Sequence, residues 1–236
     1  MKAFLIATLV SLSTFSHSLF ALSYKGHSIP IQAGFFSTLN EKNQHLDIDS
    51  LIGNDYLAKR KNSTAALLGI GYFIDTNQYD KFQFAFGINA FYFFKQSMKG
   101  QIAQERLFTN LAYSYDSSNV PIYFASKTLY RYNEKYNLTV DLGVGPNIVN
   151  LSHYKEVPLN NYTLPDNAFS SNTSIRFSAT AGIGLRINNL IASLPVECGY
   201  RFFYLGQGQF NKNSEQIINN LNSNRYANAL ICSITV

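Results

Sequence analysis

The feature that most constrains this chain is an alternation with a period of two. From Phe82 to Phe94 the even positions read Phe82, Phe84, Phe86, Ile88, Ala90, Tyr92 and Phe94. The odd ones read Gln83, Ala85, Gly87, Asn89, Phe91 and Phe93. Successive side chains of a strand point to opposite faces, so one face of this run is continuously apolar and the other largely small or polar. A helix would scatter both sets around its axis. The split recurs from Ser174 to Ile187, where Ile175, Phe177, Ala179, Ala181, Ile183, Leu185 and Ile187 alternate with Arg176, Ser178, Thr180, Gly182, Gly184 and Arg186. Further strands are expected over 29–38, 64–74, 136–147, 194–204 and the C-terminal run through Leu230, Cys232, Ile234 and Val236.

One stretch disturbs the count. Between Leu107 and Arg131 lie two alternating runs of different parity, Leu111-Tyr113-Tyr115 and Ile122-Phe124. Counted separately they give nine strands, whereas a closed antiparallel barrel with both ends on one side needs an even number. The expectation is therefore one long strand, bulged or broken near Asp116–Pro121; a bulge shifts parity by one, and Pro121 suits a bulge. Eight strands result. Short turns are expected at 75–80, 132–135 and 188–189, and long polar loops at 40–63, 96–106, 152–173 and 207–224.

Composition decides which face is outside. Charged residues are 14% of the chain and aromatics 15%, all of them Tyr or Phe. A lipocalin-like or sandwich fold in water would bury its apolar face. Here the other face is mostly Gly, Ser, Thr and Asn with isolated charges, which fits a narrow lumen, because Lys or Arg facing lipid at mid-depth costs about 2–4 kcal/mol. Tyr72, Tyr130, Tyr136, Tyr200, Tyr204 and Tyr226 near strand ends fit an interfacial girdle. The fold expected is all-β: a closed antiparallel up-and-down transmembrane barrel of eight strands.

The first 21 residues read as a secretory signal peptide, with Lys2 as the basic start, an apolar run from Ala3 and cleavage after Ala21. Residues 22–236 then form one outer-membrane barrel domain of a Gram-negative bacterium. Removing Lys2 lowers the formal charge from +5 to +4. The cations are scattered, so no nucleic-acid partner is expected.

Chemistry is sparse. Ser152, His153 and Glu156 hold the residue types of a Ser/His/acid hydrolase, yet such sites are assembled across strands and not within one segment. Asp47 and Asp49 could form a protease-type carboxylate pair, but in a mixed-charge loop they read as solvation. The Gly-x-Gly steps at 69–71, 143–145 and 182–184 lie within strands and relieve crowding, so no nucleotide or other cofactor is expected. Cys198 and Cys232, on the outward set of the last two strands, are expected as free thiols facing lipid. The inward charges Lys127, Asp141, Arg176, Arg186, Glu197 and Arg201 are expected to form a lumenal ion network. If Tyr132 faces Tyr136 across its turn, Lys127 faces Asp141.

At these strands the sequence resembles the small outer-membrane β-barrel family of opacity-type adhesins, OmpX and the OmpA membrane domain. The resemblance rests on Phe108-Thr109-Asn110-Leu111-Ala112-Tyr113-Ser114-Tyr115, Asp141-Leu142-Gly143-Val144-Gly145-Pro146-Asn147, Ala181-Gly182-Ile183-Gly184-Leu185 and Gly199-Tyr200-Arg201-Phe202. One departure is the end at Val236, where such barrels commonly carry Phe. The resemblance implies outer-membrane insertion and a porin-like or surface-protein label, without a substrate. The expectation is a non-enzymatic monomer whose loops meet envelope or host molecules. Its other partners would be outer-membrane lipid, lipopolysaccharide and the barrel-assembly machinery. The alternative is a lipid A deacylase type of hydrolase using His153.

Overall fold

A computed structural model describes residues 26–39, 43–59, 64–191 and 193–236; the expected signal peptide and its cut lie outside the described residues. Eight strands form the wall: β1 Pro30–Thr38, β2 Thr64–Tyr79, β3 Phe82–Gln104, β4 Phe108–Arg131, β5 Tyr136–Pro158, β6 Asn172–Ile191, β7 Leu194–Tyr204 and β8 Tyr226–Thr235. Each pairs antiparallel with the next, and β8 pairs with β1, where Ile231 faces Gly34, so the ring closes. Both chain ends of the ring meet at the end with the short turns, as the Ile29 and Val236 backbones bond each other at 2.8 and 3.1 Å.

The side chains divide as the alternation requires. Phe35, Ile70, Ile88, Phe124, Ile183 and Leu230 stand on the outer surface, each more than half exposed. With their neighbours they form an apolar belt that has no counterpart on a protein dissolved in water. The inner positions carry a packed core of Phe36, Phe73, Phe91, Phe93, Tyr123 and Phe203. Their rings meet edge to face, Phe36–Phe93 at 4.7 Å and Phe93–Phe203 at 4.9 Å between centroids, a geometry favoured by the ring quadrupoles. Gly69 makes room for them: a Cβ there would lie 2.6 Å from the Phe91 ring.

Three strands are far longer than a membrane crossing requires. A strand of 9–11 residues crosses a membrane, and β1, β7 and β8 have 9, 11 and 10. In contrast, β3, β4 and β5 have 23, 24 and 23. They rise beyond the belt as a tall half-wall. The expected loop at 96–106 is a strand closed by a tight turn at Glu105–Arg106, both at positive φ, and the loop expected from 152 begins only after Pro158.

The long strand over Leu107–Arg131 is continuous, and the expected bulge near Asp116–Pro121 is corrected. Leu111, Tyr113 and Tyr115 are 1%, 4% and 2% exposed and point inward, like Tyr123 and Leu129 of the same parity. Above the belt the outside is water and the inside must supply the apolar contacts, so the rule that puts large residues outward inverts there. Pro121 faces Asn147 on β5, while the ladder to β3 passes from Ile122 to Asn119 without it. Beside that stretch the extra residues sit on the neighbours instead, and β4 carries an extra one only near its upper end, at Asn110. One is on β3 at Phe94–Lys95 opposite Ser118; another is on β5 at His153–Tyr154 opposite Tyr115, with His153 at φ 53°. Each reverses the parity of the strand above it.

Cys198 and Cys232 are direct register partners on β7 and β8 and form a disulfide, with 4.1 Å between their Cα atoms. This corrects the expectation of free thiols. The register was unreadable across the long connection between the two strands, and it brings the pair within bridging reach.

Candidate functional site

Two places in the barrel concentrate polar chemistry: a layer of charge in the lumen and a cap over the loop end. The lumenal layer grows from the turn at 132–135. That turn sets Arg131 opposite Asn137 and hence Lys127 opposite Asp141. On the far wall, the β6–β7 turn brings Arg186 opposite Glu197 and Gly182 opposite Arg201. The Lys127 ammonium donates to both Glu197 carboxylate oxygens at 2.6 and 2.8 Å and lies 3.4 Å from Asp141. Arg201 donates to the other Asp141 oxygen at 2.7 Å, and its guanidinium stacks 5.2 Å over the Phe91 ring. Asp141, Glu197 and Arg201 are all buried. The result is a chain, Glu197–Lys127–Asp141–Arg201, crossing the bore beneath the aromatic core.

Arg186 stands beside Glu197 in the register, but its Nε has no hydrogen-bond partner among the described residues. Arg176 is elsewhere. Ten positions up β6, roughly 34 Å along the strand, it donates to the Gln209 side chain at 3.1 Å under the cap. The six inward charges are therefore four in contact, one adjacent and one apart.

The cap is built on the tall half-wall. A hairpin of Gln44–Leu46 and Asn54–Ala58 extends the sheet from the upper edge of β3, and a ribbon pairs Phe169–Ser170 with Asn211–Lys212. Between them and the wall lies a second apolar cluster that includes Leu46, Tyr56, Tyr115, Phe169, Phe210 and Ile217. A cavity of about 360 Å³ remains, lined by Leu46, Ile48, Tyr56, Phe169, Ile217 and the carboxylate of Asp166, among others. The bulge at His153 turns Tyr154 against the apolar cluster and Glu156 toward the segment at Asn167–Ala168. Glu156, 4% exposed, accepts from the Tyr154 hydroxyl and from the amides of Asn167 and Ala168 at 2.8 and 3.2 Å. Burial pushes the Tyr56 and Tyr154 hydroxyls far above the usual phenol range. Burial also raises the Asp166 carboxyl, and the negative charge of Glu156 adds to that. None of these residues was singled out as a cap group from sequence. The available signal was the alternation continuing through Tyr154-Lys155-Glu156-Val157.

The carboxylates and histidines read from sequence fall apart here. Asp47 bonds His45 at 3.2 Å and Asn219 at 2.5 Å, whereas Asp49 contacts Ser50; the two do not share a site. The other His45 nitrogen bonds Asp55 at 2.6 Å. Glu156 points inward and His153 outward, so the local Ser152/His153/Glu156 set does not converge. His153 instead meets Ser152 at 3.1 Å, Asp116 at 3.2 Å and Lys95 at 3.4 Å, all three through Nδ1.

No protein-family model and no curated protein matches the sequence. Among solved structures, the outer membrane protein OprG from Pseudomonas aeruginosa superposes with a TM-score of 0.50 at 10% identity, covering 89% of this chain and 96% of its own. Neisserial surface protein A gives 0.43 at 10% identity over 89% and 96%. The outer membrane protease OmpT from Escherichia coli gives 0.45 at 8% identity over 91% and 96%. Identities this low speak to fold alone. The likeness to OprG is one of fold, and the chain is a closed eight-stranded antiparallel β-barrel of the transmembrane type with its apolar belt outside.

Proposed function

We propose that the protein is a non-enzymatic surface barrel, closed to solutes, whose loop-end cap contacts envelope or host molecules. The observation that carries this reading is the occupied bore. An aromatic core and a four-membered ion chain fill it at successive heights, and the cap folds over the top. An eight-stranded barrel has room for side chains and little else. The loop end faces outward, with the short turns and both chain ends in the periplasm, as is the rule for such barrels. Folding through the barrel-assembly machinery and a monomeric state belong to the same reading.

The hydrolase alternative asks His153 to relay a proton between a serine and a carboxylate, and a relay uses the two ring nitrogens for the two partners. Here Ser152, Asp116 and the Lys95 ammonium crowd one nitrogen, an arrangement that favours a polar rim cluster. Planar-bilayer recording of the pure protein tests closure: a silent membrane is expected, and stable large openings would overturn it. Mass analysis of lipid A from cells with and without the protein tests the rest. An unchanged acyl pattern is expected; loss of an acyl chain that depends on His153 would reverse the reading.

A further inference from the structure

Just above the belt, two bulges turn basic side chains outward on strands two apart. On β3 the extra residue at Phe94–Lys95 puts Lys95, Ser97 and Lys99 on the outer face. On β5 the one at His153–Tyr154 does the same for His153 and Lys155. Between them β4 presents Ser114 and Asp116. Lys99 and Lys155 are both register partners of Ser114, one on each side, which sets their Cα atoms about 10 Å apart. Lys59 is exposed beside them, its amide donating to the Lys99 carbonyl at 3.0 Å.

The charge is one-sided. Asp116 is held by the Ser97 hydroxyl, by Lys95 at 3.2 Å and by His153 at 3.2 Å. The ammonium groups of Lys59, Lys99 and Lys155 have no such carboxylate within ion-pair distance among the described residues. The wall of β7, β8 and β1 ends at the same side of the belt in Tyr204, Tyr226 and Thr38, with Arg225 beside them. The Ser114 hydroxyl stands between Lys99 and Lys155, while the Ser97 proton is already given to Asp116. The apolar residues directly below, Tyr92, Phe94, Ile122 and Ile148, are exposed belt residues, so a molecule seated on the lysines has its chains against the belt.

We propose that this wall binds the phosphate groups of the outer-leaflet glycolipid, the lipopolysaccharide headgroup, while its acyl chains lie on the belt below. Height selects the ligand: the cations begin one residue above Phe94, at the level where headgroup phosphates meet acyl chains. The spacing of Lys99 and Lys155 on either side of Ser114 suits a headgroup with more than one phosphate. The inference rests on the outward-facing loop end proposed above.

The test uses the full mature chain in phosphatidylcholine nanodiscs, where either face is reachable and orientation does not enter. The discs contain bisphosphorylated lipid A, dephosphorylated lipid A or phosphatidylglycerol, and native mass spectrometry counts the lipid retained. Each basic residue near an anionic surface is worth about fivefold. Screening reduces the combined effect, so a loss of at least about tenfold is expected for Lys95→Gln/Lys99→Gln/Lys155→Gln against bisphosphorylated lipid A. Lys81→Gln/Lys135→Gln at the turn end should retain it like the unchanged chain. Retention by the unchanged chain should also fall as salt rises, a reading that needs no variant. Equal retention of dephosphorylated lipid A, retention unaffected by the triple change, or retention indifferent to salt would each overturn the proposal. Phosphatidylglycerol held as well as lipid A would overturn the assignment to the glycolipid.

Discussion

Replacing Asp141 by Ala should destabilise the barrel by about 3 kcal/mol, and the structure says where that cost arises. Asp141 is 6% exposed and accepts from Arg201 at 2.7 Å, with Lys127 at 3.4 Å. Lys127 keeps Glu197 at 2.6 Å after the change. Arg201, itself 7% exposed, loses its carboxylate. Breaking a buried pair by removing one member costs about 3–5 kcal/mol, because the remaining charge is left uncompensated. The Phe91 face returns a little of this to the guanidinium, which places the expected cost at the lower end. Arg201→Met should cost less than Asp141→Ala, since Lys127 still neutralises Asp141. The double change Asp141→Ala/Arg201→Met removes both charges and should be the mildest of the three. Urea unfolding in lipid vesicles, read by the mobility difference between folded and heated chain, gives the four corners of a double-mutant cycle. A coupling of at least about 2 kcal/mol is expected. If the double change costs the sum of the singles to within about 0.5 kcal/mol, the residues are independent and the account of the lumen as a mutually satisfied charge chain is wrong.

Three further outcomes follow from the geometry. Cys198→Ser/Cys232→Ser should lower stability by about 3–4 kcal/mol, as expected for a loop closed over a separation of 34 residues, and the intact chain should gain two hydrogens on reduction; a mass unmoved by reductant would contradict the bridge. Gly69→Val should cost about 1–3 kcal/mol, since the new side chain meets the Phe91 ring in a full lumen; a neutral effect in the same unfolding assay would show that the core has slack. In the cap, burial and Glu156 favour the protonated form of Asp166. That stabilisation is present below the usual carboxylate pKa and is lost as pH rises through the raised value. Proteolysis within 159–168 should therefore speed up as pH climbs through that window, and Asp166→Asn should flatten the profile; a flat profile in the unchanged chain would count against the contact.

The sequence was legible where one physical rule governed both faces of a strand. Below Phe94, even positions of β3 meet lipid and odd positions fill a lumen, so period two yields both the element and its orientation. The same regularity carried the register from the 132–136 turn to the facing of Lys127 and Asp141. Above the bulge at Phe94–Lys95 the outside becomes water, and Met98 and Ile102 turn inward while Lys99 and Gln101 turn out. A rule that large means outward reads that segment as a polar loop and reads Leu111, Tyr113 and Tyr115 on the wrong face. Register across a long connection was a second blind spot. The pairing of Cys198 with Cys232, the closeness of Lys127 to Glu197, and the meeting of Tyr56 with Tyr154 all depend on how distant segments close in space, and no local pattern encodes that. The bulge at His153 defeats the sequence for a third reason: one residue at positive φ reverses the sides of His153 and Glu156.

The central claim is that the exposed apolar face of a closed barrel lies in lipid, and the chain offers a clean background for testing it because it contains no Trp. Single Trp residues at Leu142 and Ile183, exposed on β5 and β6, and at Leu164 in the cap loop report three positions by fluorescence in vesicles. Lipids brominated along their acyl chains should quench Leu142→Trp and Ile183→Trp strongly and leave Leu164→Trp unaffected, while aqueous iodide should quench only Leu164→Trp. Belt tryptophans quenched by iodide and untouched by brominated lipid would contradict the account.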